Sequence, residues 1–206
     1  MPYSAKHKES TRARIVEAAR VLFNRHGFQD VTIDMVMASA GLTRGGFYNH
    51  FKSKEALHGA AVSSFLMGRG ADWRAEFDVD PANPGPEMTQ RMIRGYLSAE
   101  HLGDLEGQCP MIALPSDIAR ANPEVKASYQ QLLQAMVGLF EGGIEEPALA
   151  DGMADGMADG AARETALAMA ALCIGGMVIA RSLPDSELAQ EVRLAALVVA
   201  QKMAAG

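Results

Sequence analysis

The sequence is poor in cysteine: Cys109 and Cys173 stand far apart. That excludes a disulfide framework and a cysteine metal cluster, and it points to the reducing cytoplasm. No unbroken apolar run approaches the roughly 18 residues needed to cross a bilayer, so no membrane partner is expected. Residues 1–10 are polar and charged, lack the apolar stretch of a secretion signal, and read as a flexible arm. Five histidines are scattered along the chain. Neither paired carboxylates, a phosphate loop nor a serine, histidine and acid set would be gathered by the expected helices. The chain therefore does not read as an enzyme, and no catalytic residue, cofactor or metal is expected. Alternation of period two is also missing over any useful length, which leaves an all-α fold.

Charge is present in quantity but unevenly. The 206 residues hold 19 Lys/Arg and 25 Asp/Glu, a net charge of −6. Residues 1–58 carry nine basic and five acidic side chains, a net +4, and residues 59–206 carry ten and twenty, a net −10. Only the amino-terminal part suits a polyanion; the remainder would be repelled by phosphates, which orients the approach.

Within that basic part, residues 41–55 form the most informative stretch. Gly41 can take the left-handed conformation that stops one helix, and the Thr43 hydroxyl can cap the next, which is expected to run to about His50. Phe47 and Phe51, four apart, share a face and would dock on a core, leaving Gly45, Gly46 and Asn49 on the opposite side, flanked by Arg44 and Tyr48. Adjacent glycines in an exposed helix cost roughly 1 kcal/mol each, a poor choice unless a backbone must come close to something. Arg44 can donate to guanine, Asn49 can pair with adenine, and Tyr48, His50, Lys52 and Lys54 can reach phosphates. No carboxylate interrupts the run before Glu55. Upstream, Thr32 is an N-cap for a helix with Ile33, Val36, Met37 and Ala40 on its apolar face. A longer helix precedes it, with Ile15, Ala18, Ala19, Leu22 and Phe23 inward, Arg12, Arg14, Arg20 and Arg25 outward, and Gly27 at its end.

These residues resemble the DNA-binding domain of the TetR/AcrR family of bacterial transcriptional regulators over 11–57. The resemblance rests on Ala18-Ala19-x-x-Leu22-Phe23, Gly27-Phe28, Thr32, Ala40-Gly41-Leu42-Thr43 and Phe47-Tyr48-x-His50-Phe51-x-Ser53-Lys54-Glu55-Ala56-Leu57. It implies that Thr43, Arg44, Gly45, Gly46, Tyr48, Asn49 and His50 face DNA, with Thr32 and Lys54 on the sugar-phosphate backbone. Met37 departs from the family's usual alanine, which predicts a slight splay of the two short helices. The implied organisation is a three-helix helix-turn-helix DNA-binding domain over 1–55 and a larger helical effector-binding and dimerisation domain over 56–206.

The acidic part reads as helices throughout. One is expected from Ser53 towards Phe77, then a loop over 78–86 with three prolines and a glycine, a helix over 87–102, and a short segment near 111–120. Asn122-Pro123-Glu124 opens a helix that Gly142-Gly143 stop. Residues 150–160 repeat Ala-Asp-Gly-Met; glycine at every fourth place reads as a loop, and the aspartates lack the density and closing glutamate of a calcium loop. Two apolar helices close the chain, over 161–183 and from 186 to about 203, broken by Pro184-Asp185. Their apolar positions supply the chain's own core in part. The resemblance also pairs them with a second copy, through Leu172, Gly176, Ile179, Leu188, Val192, Ala195 and Val199. That implies a homodimer and a two-fold symmetric double-stranded operator.

For a small-molecule effector the candidates are Phe65, Trp73, Tyr96, Cys109, Met111, Met136, Phe140, Met169 and Met177, which serve equally as plain core. Gly107-Gln108-Cys109-Pro110-Met111 followed by Ser116-Asp117-Ile118-Ala119 resembles the segment of a family branch that includes an electrophile-sensing repressor responsive to N-ethylmaleimide. A helix N-terminus would favour the thiolate, but Gln108 and Pro110 depart from the pattern, and both a reactive sensor and a packing cysteine stand as readings of Cys109. The implied function is a sequence-specific transcriptional regulator, a repressor released by a small hydrophobic or electrophilic effector. A helical interaction module without DNA is the alternative, with an enzyme behind it.

Overall fold

The computed structural model describes residues 5–144 and 155–205, and of 155–159 the backbone alone. Ile15, Val16, Ala19 and Phe23 line the buried face of α1 (Ala5–Asp30) at the expected three-four spacing. The helix begins inside the stretch expected to be a flexible arm. Residues 5–10 hold neither glycine nor proline, and alanine and lysine propagate the helix readily. Gly27 breaks it with φ 76° and ψ 169°, a region open essentially to glycine alone. The next amide, Phe28 N–H, donates to the Asp117 carboxylate at 2.8 Å.

Thr32 caps α2 (Ile33–Ser39), its hydroxyl accepting from Met35 N–H at 3.2 Å. Gly41 follows in the left-handed region, φ 67°. The next element is a 3-10 helix, Arg44–Asn49, and then α3 (Lys54–Ser64), which Ser53 caps by accepting from Ala56 N–H. The helix expected to continue to Phe77 stops at Ser64. The Ser64 hydroxyl turns back to the Ala61 carbonyl, and residues 65–68 turn before α4 (Arg69–Glu76). Gly68 allows that turn, because a Cβ there would lie 2.9 Å from the Ser64 carbonyl oxygen.

After the proline-rich loop comes α5 (Pro86–Tyr96), shorter than expected. Ser98 takes over as cap of α6 (Ala99–Gly103), accepting from His101 N–H, so the chain starts a new helix and does not extend the old one. The segment near 111–120 is two short helices, α7 (Pro110–Ala113) and α8 (Pro115–Arg120), each with proline in its first turn. α9 (Pro123–Glu141) is capped by Asn122, whose side-chain oxygen accepts from Val125 N–H at 3.0 Å, and it ends before Gly142 as expected.

α10 (Asp155–Ser182) starts earlier than expected: residues 155–160 of the tetrapeptide repeat are helical, and 150–154 lie outside the described residues. Glycine's penalty of about 1 kcal/mol is tolerable at the end of a helix this long, where propagation is favourable. Within α10, Gly160–Ser182 is long and apolar enough to cross a membrane by length and composition, with a mean hydropathy of 1.6. The sequence lacks an unbroken apolar run there, but dispersed Ala, Met and Ile raise the average. α10 packs on α11 (Glu187–Met203), capped by Ser186, and Gly176 is where they meet: a Cβ on it would lie 2.6 Å from that of Ala196.

No strand occurs among the described residues. They form two compact units, one of residues up to Arg69 together with Leu105–Leu132, the other of Gly70–Asp104 with the described residues from Leu133 on. Polar ties hold the first unit together. Arg20, expected on an exposed face, is 5% exposed; it donates to the Glu106 carbonyl at 2.6 Å and pairs with Glu17. Asn24 donates to the carbonyls of Gln108 and Glu106, at 2.7 and 3.2 Å.

Candidate nucleic-acid interface

Phe47 and Phe51 anchor the 3-10 helix, 0% and 5% exposed with ring centroids 5.9 Å apart, so its opposite face is turned outward. Thr43, Arg44, Gly45, Tyr48 and Asn49 are exposed on or beside it, and Gly46 and His50 are partly so. The expected α-helix is thus a tighter turn. Two consecutive glycines weaken the α form, and the short spacing still buries both phenylalanines. The Thr43 hydroxyl makes no capping bond. Gly46 N–H bonds the Thr43 carbonyl instead, at 3.1 Å, leaving the hydroxyl outward.

The two glycines differ. A Cβ on Gly46 would touch Met37 at 3.6 Å, an ordinary contact, whereas one on Gly45 would meet nothing within 4 Å. Met37, at the family's alanine position, is 1% exposed beneath this turn. Arg14 reaches the Ala40 carbonyl at the end of α2 and so braces the junction between the two short elements.

Charge is arranged in a way the sequence order hid. Arg44 forms an ion pair with Asp34 in the first turn of α2, although no carboxylate lies near it in sequence. Both side chains are more than half exposed, so the pair adds little to stability. Lys54 lies with its ammonium 4.3 Å from the centre of the Phe28 ring and donates to the Gln29 carbonyl; burial holds its pKa below the usual lysine range. Burial, then the charges of Lys8 and Arg12, keep the His50 pKa below its ordinary value. Beside it, a cavity of about 490 Å³ has His7, Lys8 and Thr11 of α1 on one wall and Thr43, Asn49 and His50 on the other, with Met37, Leu42 and Gly46 between. Thr32, expected on the backbone of a duplex, is exposed. Sequence reading missed His7 and Lys8 because it treated residues 1–10 as an arm, Thr11 because only the helix that continues those residues turns it to the same side, and Asp34 because the turn between α2 and the 3-10 helix is what brings it to Arg44.

The nine side chains named for an effector are all buried, but they divide. Phe65, Cys109 and Met111 belong to the first unit, and Trp73, Tyr96, Met136, Phe140, Met169 and Met177 to the second. In the second unit Trp73 meets Phe77, Tyr96 and His101 with ring centroids 5.0, 6.2 and 5.5 Å away. The Trp73 indole N–H is buried with no hydrogen-bond partner among the described residues. Phe77 and His101 escaped the sequence reading because the loop over 78–86 and the new helix start at Ser98 decide where they fall. Cys109 is 2% exposed and stands at the N-cap of α7, its carbonyl accepting from the amides of Ile112 and Ala113. Burial pushes the Cys173 thiol up to about 12, which makes it inert.

Of the seven residues named for pairing with a second copy, Ile179, Leu188, Ala195 and Val199 are exposed, Leu172 and Val192 partly so, and Gly176 is buried against Ala196.

A capped helix, a glycine turn and a second short helix anchored by two phenylalanines, on a longer first helix, define a helix-turn-helix domain within an all-α protein. Residues 15–61 match the sequence profile of bacterial regulatory proteins, tetR family. Over this domain the chain is similar to that family. Among relatives, the Transposon Tn10 TetC protein of Escherichia coli is 41% identical over 59 residues, covering 29% of this chain and 30% of that protein. The HTH-type transcriptional regulator UidR of E. coli strain K12 is 39% identical over 119 residues, covering 58% and 57%. The match to TetC thus spans under a third of that relative's length, and the one to UidR little more than half. The fold is shared more widely: the structure of E. coli NemR in its reduced form superposes with a TM-score of 0.69 at 15% identity, covering 94% of this chain and 96% of that one.

Proposed function

We propose that the protein is a homodimeric, cytoplasmic transcriptional regulator that binds a two-fold symmetric DNA operator and represses, releasing DNA when a small hydrophobic or electrophilic effector binds. In this reading residues 1–55 are the DNA reader and residues 56–206 bind the effector and the second copy. The observation that carries the reading is the outward face of the 3-10 helix. Arg44, Tyr48 and Asn49 stand exposed around Gly45, where nothing in the protein itself would collide with a side chain. Open space at a glycine on a surface rich in hydrogen-bond donors fits close approach of a duplex backbone or base edge. The similarity of residues 15–61 to the tetR family of bacterial regulatory proteins supports the same partner.

Release is a two-state equilibrium. The effector favours a form in which the two readers no longer match adjacent major grooves, and a few kcal/mol of differential affinity suffices. Cys109 is the proposed point of attack for electrophiles, and the inert Cys173 serves as an internal control. A quinone or maleimide should release DNA from the wild type and not from Cys109→Ser; equal release from both would assign Cys109 to packing alone.

The DNA reading is tested by selecting duplexes from a random pool and titrating the winner. Asn49→Ala should cost about 1–3 kcal/mol at one base position, while Lys54→Ala weakens all sequences alike. Equal losses on selected and random DNA for both variants would refute that division. A wild type with no preference for any duplex at moderate salt would overturn the function itself and leave the helical interaction module.

A further inference from the structure

Resting on the DNA-binding reading above, we propose that the cavity between the start of α1 and the 3-10 helix seats one backbone phosphodiester, and that seating it draws a proton onto His50. The first helical turns of α1 then belong to the DNA interface.

The cavity is polar on both walls: His7, Lys8 and Thr11 face Thr43, Asn49 and His50 across about 490 Å³. No carboxylate lines it. The His50 ring forms part of its lining. Such a set offers an ammonium, two imidazoles and two hydroxyls, which suits a singly charged oxyanion with several acceptor oxygens. A phosphodiester is the anion that a duplex presents beside the base edges reached by Arg44 and Asn49. The opening turns of α1 are helical, so His7, Lys8 and Thr11 fall on one side of the helix at the spacing one wall requires.

The proton follows from the surroundings of His50. The charged groups acting on it come from α1: Lys8 and Arg12, whose guanidinium lies 4.5 Å from the centre of the Phe51 ring, while the His7 ring lines the cavity with it. The 3-10 helix side supplies only uncharged Thr43 and Asn49. In the free protein burial, then the charges of Lys8 and Arg12, disfavour the protonated His50 ring and hold its pKa below the ordinary value. A seated phosphate reverses the sign of the local field and raises that pKa. A proton is therefore taken up on binding. Affinity is highest below the bound-state pKa and falls as pH rises through it.

The test uses the full-length protein and two duplexes of equal length, the selected operator and a mixed sequence, titrated over a range of salt at pH 6 and pH 8. Lys8→Ala should weaken both duplexes roughly three- to tenfold and flatten the slope of log Kd against log salt by about one. The wild type should bind roughly three- to tenfold tighter at pH 6 than at pH 8. A His7→Gln/His50→Gln double variant should bind more weakly than wild type at both pH values and show no such gain. An unchanged salt slope in Lys8→Ala, or the same pH response in the double variant, overturns the phosphate seat while the wild type's duplex preference leaves the parent reading standing. Absence of duplex preference in the wild type would overturn both. Circular dichroism melts of each variant exclude unfolding as the cause of a loss.

Discussion

At position 45 the protein makes no internal demand for glycine, since a side chain there would meet open space. Gly45→Ala should therefore leave the melting temperature equal or slightly higher, a gain of up to about 1 kcal/mol, because alanine restricts the unfolded chain and favours the helix. On the proposed function it should weaken operator binding roughly tenfold, the scale of one lost base contact. Thermal melts and a DNA titration check the two halves together, and a parallel loss of stability and binding would refute the argument.

A different residue sets an acid limit. His58 is 1% exposed, stacked 4.6 Å from Phe28 and 5.1 Å from Phe23, and burial pushes its pKa down to about 4. Its folded-state pKa lies below the unfolded value near 6.5, so the unfolded chain takes up the proton first as pH falls. Stability is full above pH 6.5 and is lost between 6.5 and 4, by about 2 kcal/mol at pH 5. The Nε2 atom has no hydrogen-bond partner, so an apolar ring can replace it. Denaturant titrations at pH 7 and pH 5 should show His58→Phe losing about 2 kcal/mol less than wild type over that interval.

Among the elements, three of the four expected caps were legible and two of the breaks were not. Thr32, Ser53 and Asn122 cap the helices expected of them, because a cap needs only a side chain three residues from an amide, whereas Thr43 does not. The stops at Ser64 and Tyr96 were missed. Continuing each helix was locally acceptable, and the turns depend on a serine folding back and on a rival cap at Ser98. The reading element was placed correctly but its winding was not, since burying Phe47 and Phe51 with two glycines between caps permits a 3-10 turn as well as an α turn. Gly27 is the element boundary that carries the strongest demand. Its φ and ψ are closed to other residues, and a Cβ would approach the Asp117 carboxylate at 3.2 Å. Gly27→Ala should destabilise the protein by about 1–3 kcal/mol, read from denaturant unfolding. A loss under 0.5 kcal/mol would mean that α1 passes this point without the kink.

At the scale of the molecule, charge divides the sequence into a basic amino-terminal part and an acidic remainder, but which side chains pack with which was not legible in it. Residues 105–132 join the first compact unit through Arg20, Asn24 and Phe28, contacts between positions more than eighty residues apart. No periodicity carries such information. The same holds for the last two helices. Ile179, Leu188 and Val199 were expected on a pairing surface and are exposed, as are Leu194 and Val198, which were not named. Gly176 serves the crossing of α10 with α11 inside one chain. Exposed Leu, Ile and Val at this density on two adjacent helices suit a second copy. An Ile179→Glu/Val199→Glu variant should sediment at half the wild-type mass while keeping its helical content. A wild type that is already monomeric at micromolar concentration would overturn the dimer.

The ion pair between Asp34 and Arg44 bears on how such a molecule would search a chromosome. A guanidinium already engaged by its own protein has less to gain from any passing phosphate, so sliding over unrelated sequence stays loose. Only a site that satisfies arginine better than aspartate does, such as a guanine with both acceptors aligned, would draw the side chain across and arrest the search.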